Sequence, residues 1–311
     1  MISKNTSLML AGAQGATVQP DSGIVFGRLA AGWTVQFKGR AETPVFIDEK
    51  RNFTPSQQSD RDRYFAFMNT EPGAHLLYLV DARGATRSAI AVPVVSGGAT
   101  YVDLYHLQKI SITGHLYDAS ASRLKAASPA AMTVVGQASA STTTRRDGYF
   151  EFRDLLVAAD HPLFFEASDA AGYTHRYRVD PSHRESLRLF RFSSKQVTSW
   201  VNQLEGGVSP NSGLVVGAFP DLIQANPRAK FQPSLHSIVG SSDLTPETYT
   251  LDSQDHLQVK QPVTVASPRF LSVQVPEGAT EFQLDDESSR ATAWSMLLFN
   301  SPGIVFVLGP D

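Results

Sequence analysis

Apolar and polar residues alternate with a period of two along most of this chain, in short runs that end at Gly, Pro, Asp or Ser. Residues 33–37, 75–80 and 100–104 are examples, and their Val, Leu, Thr and aromatic side chains suit a pleated, half-buried surface. Residues 81–84 (DARG) lie between two such runs and indicate a hairpin turn. The pattern predicts an all-β fold, and 311 residues predict two or three domains of this kind.

The first and last thirds of the chain share a pattern of short motifs. The matching pairs are residues 22–27 (SGIVFG) and 212–217 (SGLVVG) at the start, Gly73 and Gly278 in the middle, and Gly98 and Gly303 at the close. The differences 278 − 73 and 303 − 98 both equal 205, so the terminal hairpins align without a gap. The sequence therefore predicts that the two thirds are repeats of one module. The alternative is that any two sandwiches ending in hairpins look alike.

A division into three consecutive β-sandwich domains follows from this repeat. The expected segments are a first sandwich at residues 1–108, a middle one at 109–192, a linker at 193–212 and a last sandwich at 213–311. The linker is rich in Gly, Ser and Pro near residues 206–213, which is typical of a connection between domains.

The linker also contains the best candidate for a helix. Val197, Trp200, Val201 and Leu204 have the i, i+3, i+4, i+7 spacing of one helix face. Two serines before this face suit a helix cap, and the glycines at 206–207 suit its end. We predict a short connecting helix, and the alternative is a strand with a bulge.

The middle segment contains the most specific motif, a hairpin at residues 142–152 (TTTRRDGYFEF). Its Asp147-Gly148 pair predicts a tight turn, because glycine adopts a positive φ without cost. Strand alternation then turns Phe150 and Phe152 toward a core. The predicted core residues of this segment are Ile112, Leu116, Val134, Phe150 and Phe152.

The order of motifs in the middle segment resembles the carboxypeptidase regulatory-like domain, a transthyretin-like seven-stranded sandwich. The matching residues are Ile112, Gly114, Leu116 and Asp118 in the opening strand, Thr144, Asp147, Gly148, Phe150 and Phe152 in the hairpin, and Gly172 and Tyr173 at the end. The resemblance covers about a quarter of the chain. It departs after Phe152, where residues 155–162 (LLVAADHP) replace the family's L-P-x-G-x-Y.

The resemblance implies a domain without catalytic residues of its own, of a kind that occurs as an accessory module in envelope, surface and secreted proteins. The first and last sandwiches match only the general description of an immunoglobulin-like fold.

Few residues suggest chemistry. The chain has no cysteine, which excludes disulfides, thiolate nucleophiles and Cys-ligated zinc, and it has no phosphate loop, nucleophile elbow or H-E-x-x-H motif. His161 and His175 share the middle segment with Glu166 and Asp169, but without the close spacing of metal-ligating histidines. Acidic residues 285–287 suit calcium, yet an exposed hairpin turn is favoured for them. We predict no catalytic, cofactor-binding or metal-binding residues.

Charge and hydropathy limit the classes of partner. A net charge of −3 and a pI near 6.2 predict no nucleic-acid binding, and the Arg145-Arg146 pair is typical of a solvated turn. No apolar run approaches the ~18–20 residues that span a bilayer, so we predict no membrane insertion. The apolar patch at residues 8–11 is shorter than the roughly 7–15 residues of a signal-peptide core, so no intact signal peptide is identified.

Two further expectations concern loops and edges. Residues 49–66 predict a long polar loop, in which the charged residues 60–63 are solvated. The strands near residues 24–26 and 304–307 lie close to domain ends, and an unpaired strand edge is a template for another chain. These strands are candidate docking edges, and the alternative is that they pair within their own domains.

The function that these observations favour is a non-catalytic structural or protein-interaction protein, a scaffold of β-sandwiches that self-associates or binds protein partners. We expect it in the periplasm or at the cell surface, while the sequence alone leaves a cytosolic location open. One alternative is a carbohydrate-binding array, although the tryptophans Trp33, Trp200 and Trp294 are single, dispersed and typical of packing. A second alternative is an enzyme with a site at a domain junction.

Overall fold

The computed structural model of the chain confirms the all-β fold of several sandwiches. It describes residues 17, 19–38, 43–47, 53–54, 63–119, 124–127, 129–158, 161–168, 173–182, 185–218, 228–237, 246–259, 261–264, 269–289, 291–301 and 303–308. In this part of the chain no helix is long and apolar enough to cross a lipid bilayer.

The first module is a sandwich of two sheets. Its strands are β1 (Gly23–Leu29), β2 (Thr34–Phe37), β3 (Val45–Ile47), β4 (Phe53–Thr54), β5 (Arg63–Thr70), β6 (Gly73–Val80), β7 (Thr86–Val94) and β8 (Ala99–Leu104). One sheet has the order β4-β3-β5-β1-β8 and the other the order β2-β6-β7. Pro93 lies in β7, at an edge of the smaller sheet, where a missing backbone donor is tolerated.

The middle domain packs a sheet around β9 against the strands β11, β12, β14 and β15. Its strands are β9 (Leu107–Ala119), β10 (Leu124–Ala126), β11 (Ala131–Val134), β12 (Gln137–Thr143), β13 (Tyr149–Ala158), β14 (Leu163–Ser168), β15 (Thr174–Val179) and β16 (Leu187–Arg191). All five predicted core residues are buried. The predicted turn is present as well, since Gly148 has a φ of 82°.

The predicted helix and the last module follow. The helix α1 (Ser194–Val201) is capped by Ser193, whose side chain accepts a hydrogen bond from the N–H of Gln196. The strands of the last module are β17 (Ser212–Ala218), β18 (Phe231–Ser237), β19 (Glu247–Leu251), β20 (Leu257–Val259), β21 (Arg269–Pro276), β22 (Gly278–Asp286), β23 (Thr292–Asn300) and β24 (Ile304–Leu308).

The middle domain and the last module share one sheet. Strand β15 pairs with β24 in parallel, with Thr174, His175 and Arg176 opposite Ile304, Val305 and Phe306. The result is a nine-stranded sheet with the order β12-β11-β14-β15-β24-β17-β21-β19-β20. The boundary predicted at residues 193–212 stays a prediction, but hydrogen bonds join the segments on either side of it.

A single hydrophobic core also crosses this junction. Phe150 and Phe165 of the middle domain, Trp200 of α1, and Leu271 and Val305 of the last module all belong to it. Trp200 is fully buried and packs against Phe192, with ring centroids 5.2 Å apart. The first module has a core of its own, to which the middle domain adds mainly Ala158.

The first and last modules have the same topology. The order β4-β3-β5-β1-β8 in the first corresponds to β20-β19-β21-β17-β24 in the last, and β2-β6-β7 corresponds to β18-β22-β23. In both modules the opening strand is parallel to the closing strand, and the other pairs are antiparallel. The repeat predicted from short motifs is therefore present as a repeat of strand order and direction.

In both modules a side-chain amide makes the same hydrogen bonds to the segment that precedes the opening strand. Asn69 (φ 55°) and Gln274 (φ 56°) lie 205 positions apart (274 − 69), and each side-chain amide bonds one backbone N–H and one carbonyl of the segment before the opening strand. Asn69 bonds the N–H of Gln19 and the carbonyl of Thr17. Gln274 bonds the N–H of Ser209 and the carbonyl of Gly207. Because backbone amides need such partners, the amide fixes the direction in which the chain enters the sheet.

The predicted alignment without a gap is wrong by one residue. The N–H of Gly303 bonds the carbonyl of Ser212, and in the first module Gly97, not Gly98, makes the equivalent bond to Ser22. The extra residue lies in the hairpin between β22 and β23. This turn closes from Asp286 to Ala291, whereas the corresponding turn of the first module closes from Asp81 to Ala85.

Since the middle domain and the last module share a sheet and a core, we predict that they unfold together in calorimetry. Trp200→Ala should lower the midpoint of this joint transition and cost about 3–5 kcal/mol, as for other buried aromatic side chains. Thr198→Ala, at an exposed position of the same helix, is the control and should leave the midpoint nearly unchanged. Separate transitions for the two parts, with only one shifted by Trp200→Ala, would contradict the shared core.

Candidate functional site

The two strands proposed as open edges are not edges. β1 lies between β5 and β8, and β24 lies between β15 and β17. The prediction that these strands are docking edges is therefore wrong, and the physical reason is burial. Residues such as Val25 and Phe306 are fully buried, and buried backbone groups need partners on both sides.

The closing strand of the first module, β8, is an edge of its sheet. The N–H of Ile24 bonds the carbonyl of Gly98, and the N–H of Ala30 bonds the carbonyl of Leu104, so the even-numbered residues of β8 face β1. Since successive residues of a strand alternate in direction, the N–H and carbonyl groups of Ala99, Tyr101 and Asp103 point to the other side. Among the described residues no strand pairs with that side of β8.

A cleft of about 220 Å³ lies beside β8, between the first module and the middle domain. Thr100 and Tyr101 line it on one side, together with Pro93 of β7. Phe164 and Arg178, from the ends of β14 and β15, line the other side. Beside β8, the cleft therefore occupies the position that β15 occupies beside β24 in the last module.

Arg178 is the charged side chain among the described residues that line this cleft. His161 and Arg178 are the ionisable groups of the middle domain that line it, and none of its described lining residues is an Asp or Glu. Arg178 is partly buried, and its guanidinium makes no hydrogen bond or ion pair with the described residues. The neighbouring Arg176 differs, because its guanidinium bonds the carboxylate of Glu166 at 2.6 Å.

Aromatic side chains gather on the outer face of the larger sheet of the first module. Tyr64 and Tyr101 are 46% and 50% exposed, and they are among the most exposed large apolar side chains of the described residues. Phe26 of β1 lies opposite Tyr101 in the strand pairing, with its ring 5.3 Å from that of Tyr101. Arg28 shares this face, directly opposite Tyr64 in the strand pairing.

Of the residues considered as metal ligands, His175 and Glu166 make other contacts in the structure. His175 is buried, and its Nε2 accepts a hydrogen bond from the N–H of Phe192 at 3.2 Å. Glu166 is engaged by Arg176, and Asp169 lies outside the described residues. Within the described ranges, no three His, Asp or Glu residues are grouped so that they could hold a metal ion.

The acidic turn at 285–287 is organised by its own hydrogen bonds. Asp286 accepts bonds from the N–H of Ser288 at 2.9 Å and from the hydroxyl groups of Ser288 and Ser289. The pKa of Asp286 lies below its usual value, mainly because the backbone N–H of Ser288, and then its hydroxyl, donate hydrogen bonds to the carboxylate. The carboxylate therefore caps a turn, as Asp81 does in the first module.

The charged run predicted as a solvated loop ends in a buried arginine. Residues 60–62 lie outside the described residues, whereas Arg63 begins β5 and is only 3% exposed. Its guanidinium donates to the carbonyl of Trp33 at 3.0 Å and lies 3.7 Å from the centre of the Phe46 ring. Burial lowers the pKa of Arg63 to about 10. A solvated Arg63 is therefore a wrong prediction.

The tryptophans do not form an exposed row in the described part of the structure. Trp200 is buried in the shared core and Trp33 packs partly buried against the first core. The side chain of Trp294 lies outside the described residues.

Neither β8 nor Arg178 was predicted from the sequence as a functional candidate. The available signal for β8 was the motif at 98–102, which aligns with the closing strand of the repeat.

No family model and no curated protein matches the chain. Among solved structures, the Bacillus anthracis TIE protein is 11% identical at a TM-score of 0.19. The match covers 93% of this chain, which spans about half (50%) of the length of that protein.

Two pilins are also similar to this chain. The shaft pilin spaA from Lactobacillus rhamnosus GG is 8% identical, with 66% of this chain and 98% of the pilin covered and a TM-score of 0.19. A Streptococcal ancillary pilin is 9% identical, with 94% and 99% covered and a TM-score of 0.19. Scores this low carry no argument about fold or function.

The acidic turn gives a test of metal dependence. We predict that calcium and chelators leave the melting midpoint unchanged, because the Asp286 carboxylate is already bonded within its turn. Asp286→Asn should nearly keep the midpoint, since the Asn oxygen can still accept the two bonds from Ser288, and Asp286→Ala should lower it. A rise of several degrees with calcium that Asp286→Asn abolishes would instead identify a calcium site.

Proposed function

We propose that the chain is a non-catalytic structural and protein-interaction protein of the bacterial cell envelope or surface. Its β-sandwich modules form a scaffold that takes part in a larger assembly. The observation that carries this proposal is the repeated module with its closing strand. One closing strand, β24, is joined to another domain by β15, and the other, β8, presents an unpaired side among the described residues. Unpaired edges of this kind are sites of protein association.

The location rests on the middle domain. Its resemblance to carboxypeptidase regulatory-like domains, carried by the opening strand at 110–118 and the hairpin at 142–152, suggests an accessory module of envelope, surface or secreted proteins. The core face of that hairpin supports the resemblance, since Phe150 and Phe152 both pack against Phe165.

Glycan binding is a second candidate function. The observation that favours it is the group of Tyr64, Phe26 and Tyr101 on one sheet face, because sugar rings pack on exposed aromatic surfaces. A junction enzyme has less support. The cleft between the first module and the middle domain contains one histidine and no carboxylate among its described lining residues, so it lacks a paired acid and base.

A tagged chain expressed from its own locus tests the proposed function. We predict that it fractionates with the envelope or the culture medium, and that light scattering of the purified chain shows self-association with rising concentration or binding to an isolated envelope component. Recovery from the cytosol, with a strictly monomeric chain that binds no envelope component, would contradict the proposal. A glycan array that is positive for the parent and negative for Tyr64→Ala would favour the second candidate.

A further inference from the structure

We propose that the cleft beside β8 binds an extended segment of another polypeptide, which adds to the outer side of β8 as a strand and places a carboxylate against Arg178. The inference rests on the proposed function and deepens it, because it names the docking surface and the chemistry of the segment that fits there.

A strand addition of this kind already exists inside the chain. β24 accepts β15 as a parallel neighbour on the side opposite β17. β8 is the equivalent strand of the first module, with the equivalent parallel neighbour β1. The same strand of the same module therefore already binds a strand at one of its two occurrences in this molecule.

The outer edge of β8 is available for pairing with another strand. Ala99 is exposed, Tyr101 is half-exposed, and both direct their backbone groups away from β1. Strand addition uses such groups, because main-chain hydrogen bonds supply affinity while pockets for alternate side chains supply specificity. The cleft at Tyr101 is a pocket of this kind next to the edge.

The cleft beside β8 is small. Its 220 Å³ is below the roughly 300–1,000 Å³ that is usual for small-molecule sites. A side chain of a docked strand suits this volume better than a free ligand. Pro93, Phe164 and the Tyr101 ring give the pocket apolar walls for the stem of that side chain.

The charge of Arg178 indicates the chemistry of the docked side chain. Three other arginines with little exposed side chain have carboxylate partners: Arg176 pairs with Glu166, Arg191 with Asp118, and Arg269 with Asp255. Arg178 has no such partner among the described residues, and it faces a cleft lined by no carboxylate there. A guanidinium matches the geometry of a carboxylate, so an Asp, a Glu or a C-terminal carboxylate complements the pocket.

The experiment uses the full chain and fluorescent peptides of alternating Thr and Val, with Lys at both ends and one central Glu. The matched peptide has Gln in place of Glu. We expect the Glu peptide to bind about tenfold more tightly, because hydrogen bonds between charged groups are stronger than neutral ones. Arg178→Gln should abolish the difference and Arg178→Lys should retain part of it. Arg188→Gln, at an exposed position of β16, is the control and should change nothing.

A second pair of variants tests strand addition. Tyr101→Pro removes the outward N–H of β8 and should abolish binding of both peptides, whereas Tyr101→Ala keeps that N–H and should only weaken binding, through the loss of one pocket wall. The Arg178 variants decide the outcome if Tyr101→Pro does not fold. Equal binding of the Glu and Gln peptides, or no saturable binding of either, would overturn the proposal. So would a parent dimer that Arg178→Gln dissociates, because the occupant would then be a second copy of the chain.

The two proposals can fail separately. A chain that binds no peptide but is recovered from the envelope and associates there refutes only the assignment of the β8 cleft. A chain that binds the Glu peptide through Arg178 but is recovered from the cytosol supports the cleft and refutes the envelope function.

Discussion

Strand β24 has hydrogen-bonding groups along both of its sides, and its residues Val305 and Phe306 are almost completely buried. Since buried backbone groups must be paired, β24 needs a neighbour on each side, and β17 and β15 are those neighbours. This pairing turns two sheets into one of nine strands and brings the middle domain over the last module. The core around Trp200 crosses the same junction, since buried residues of the middle domain and of the last module both belong to it.

The same constraint has a different outcome in the first module. β8 corresponds to β24 in topology, yet its residues Ala99 and Tyr101 are exposed, and among the described residues no strand pairs with the side of β8 to which their backbone groups point. The middle domain approaches this side of the module as well, but a cleft separates it from β8. As far as the described strands go, one module used twice thus provides an internal joint in one case and an open side in the other. The proposed scaffold function depends on this difference.

Much of the fold could be predicted from the sequence, because alternation decides which side chains face a core. The hairpin around Phe150, the helix with Trp200 and the repeat all follow from local patterns. The pairing of β15 with β24 could not be predicted, since alternation does not specify which of many strands lie side by side. The candidate site was missed for the same reason. Arg63 shows a further limit, because its burial depends on the distant carbonyl of Trp33 and the ring of Phe46.

The central claim is that the closing strand of the module is paired on both sides in its second copy, whereas in its first copy the described strands pair with one side alone. Amide hydrogen exchange measured by NMR tests this claim directly, because exchange reports whether each N–H is hydrogen-bonded. The account predicts that the amides of β24 that face β15 exchange only when the joined sheet unfolds. The amides of Ala99 and Tyr101 should exchange much faster than those of Thr100 and Val102 on the same strand. Equal protection of all four β8 amides, or fast exchange along the β15 side of β24, would contradict the account.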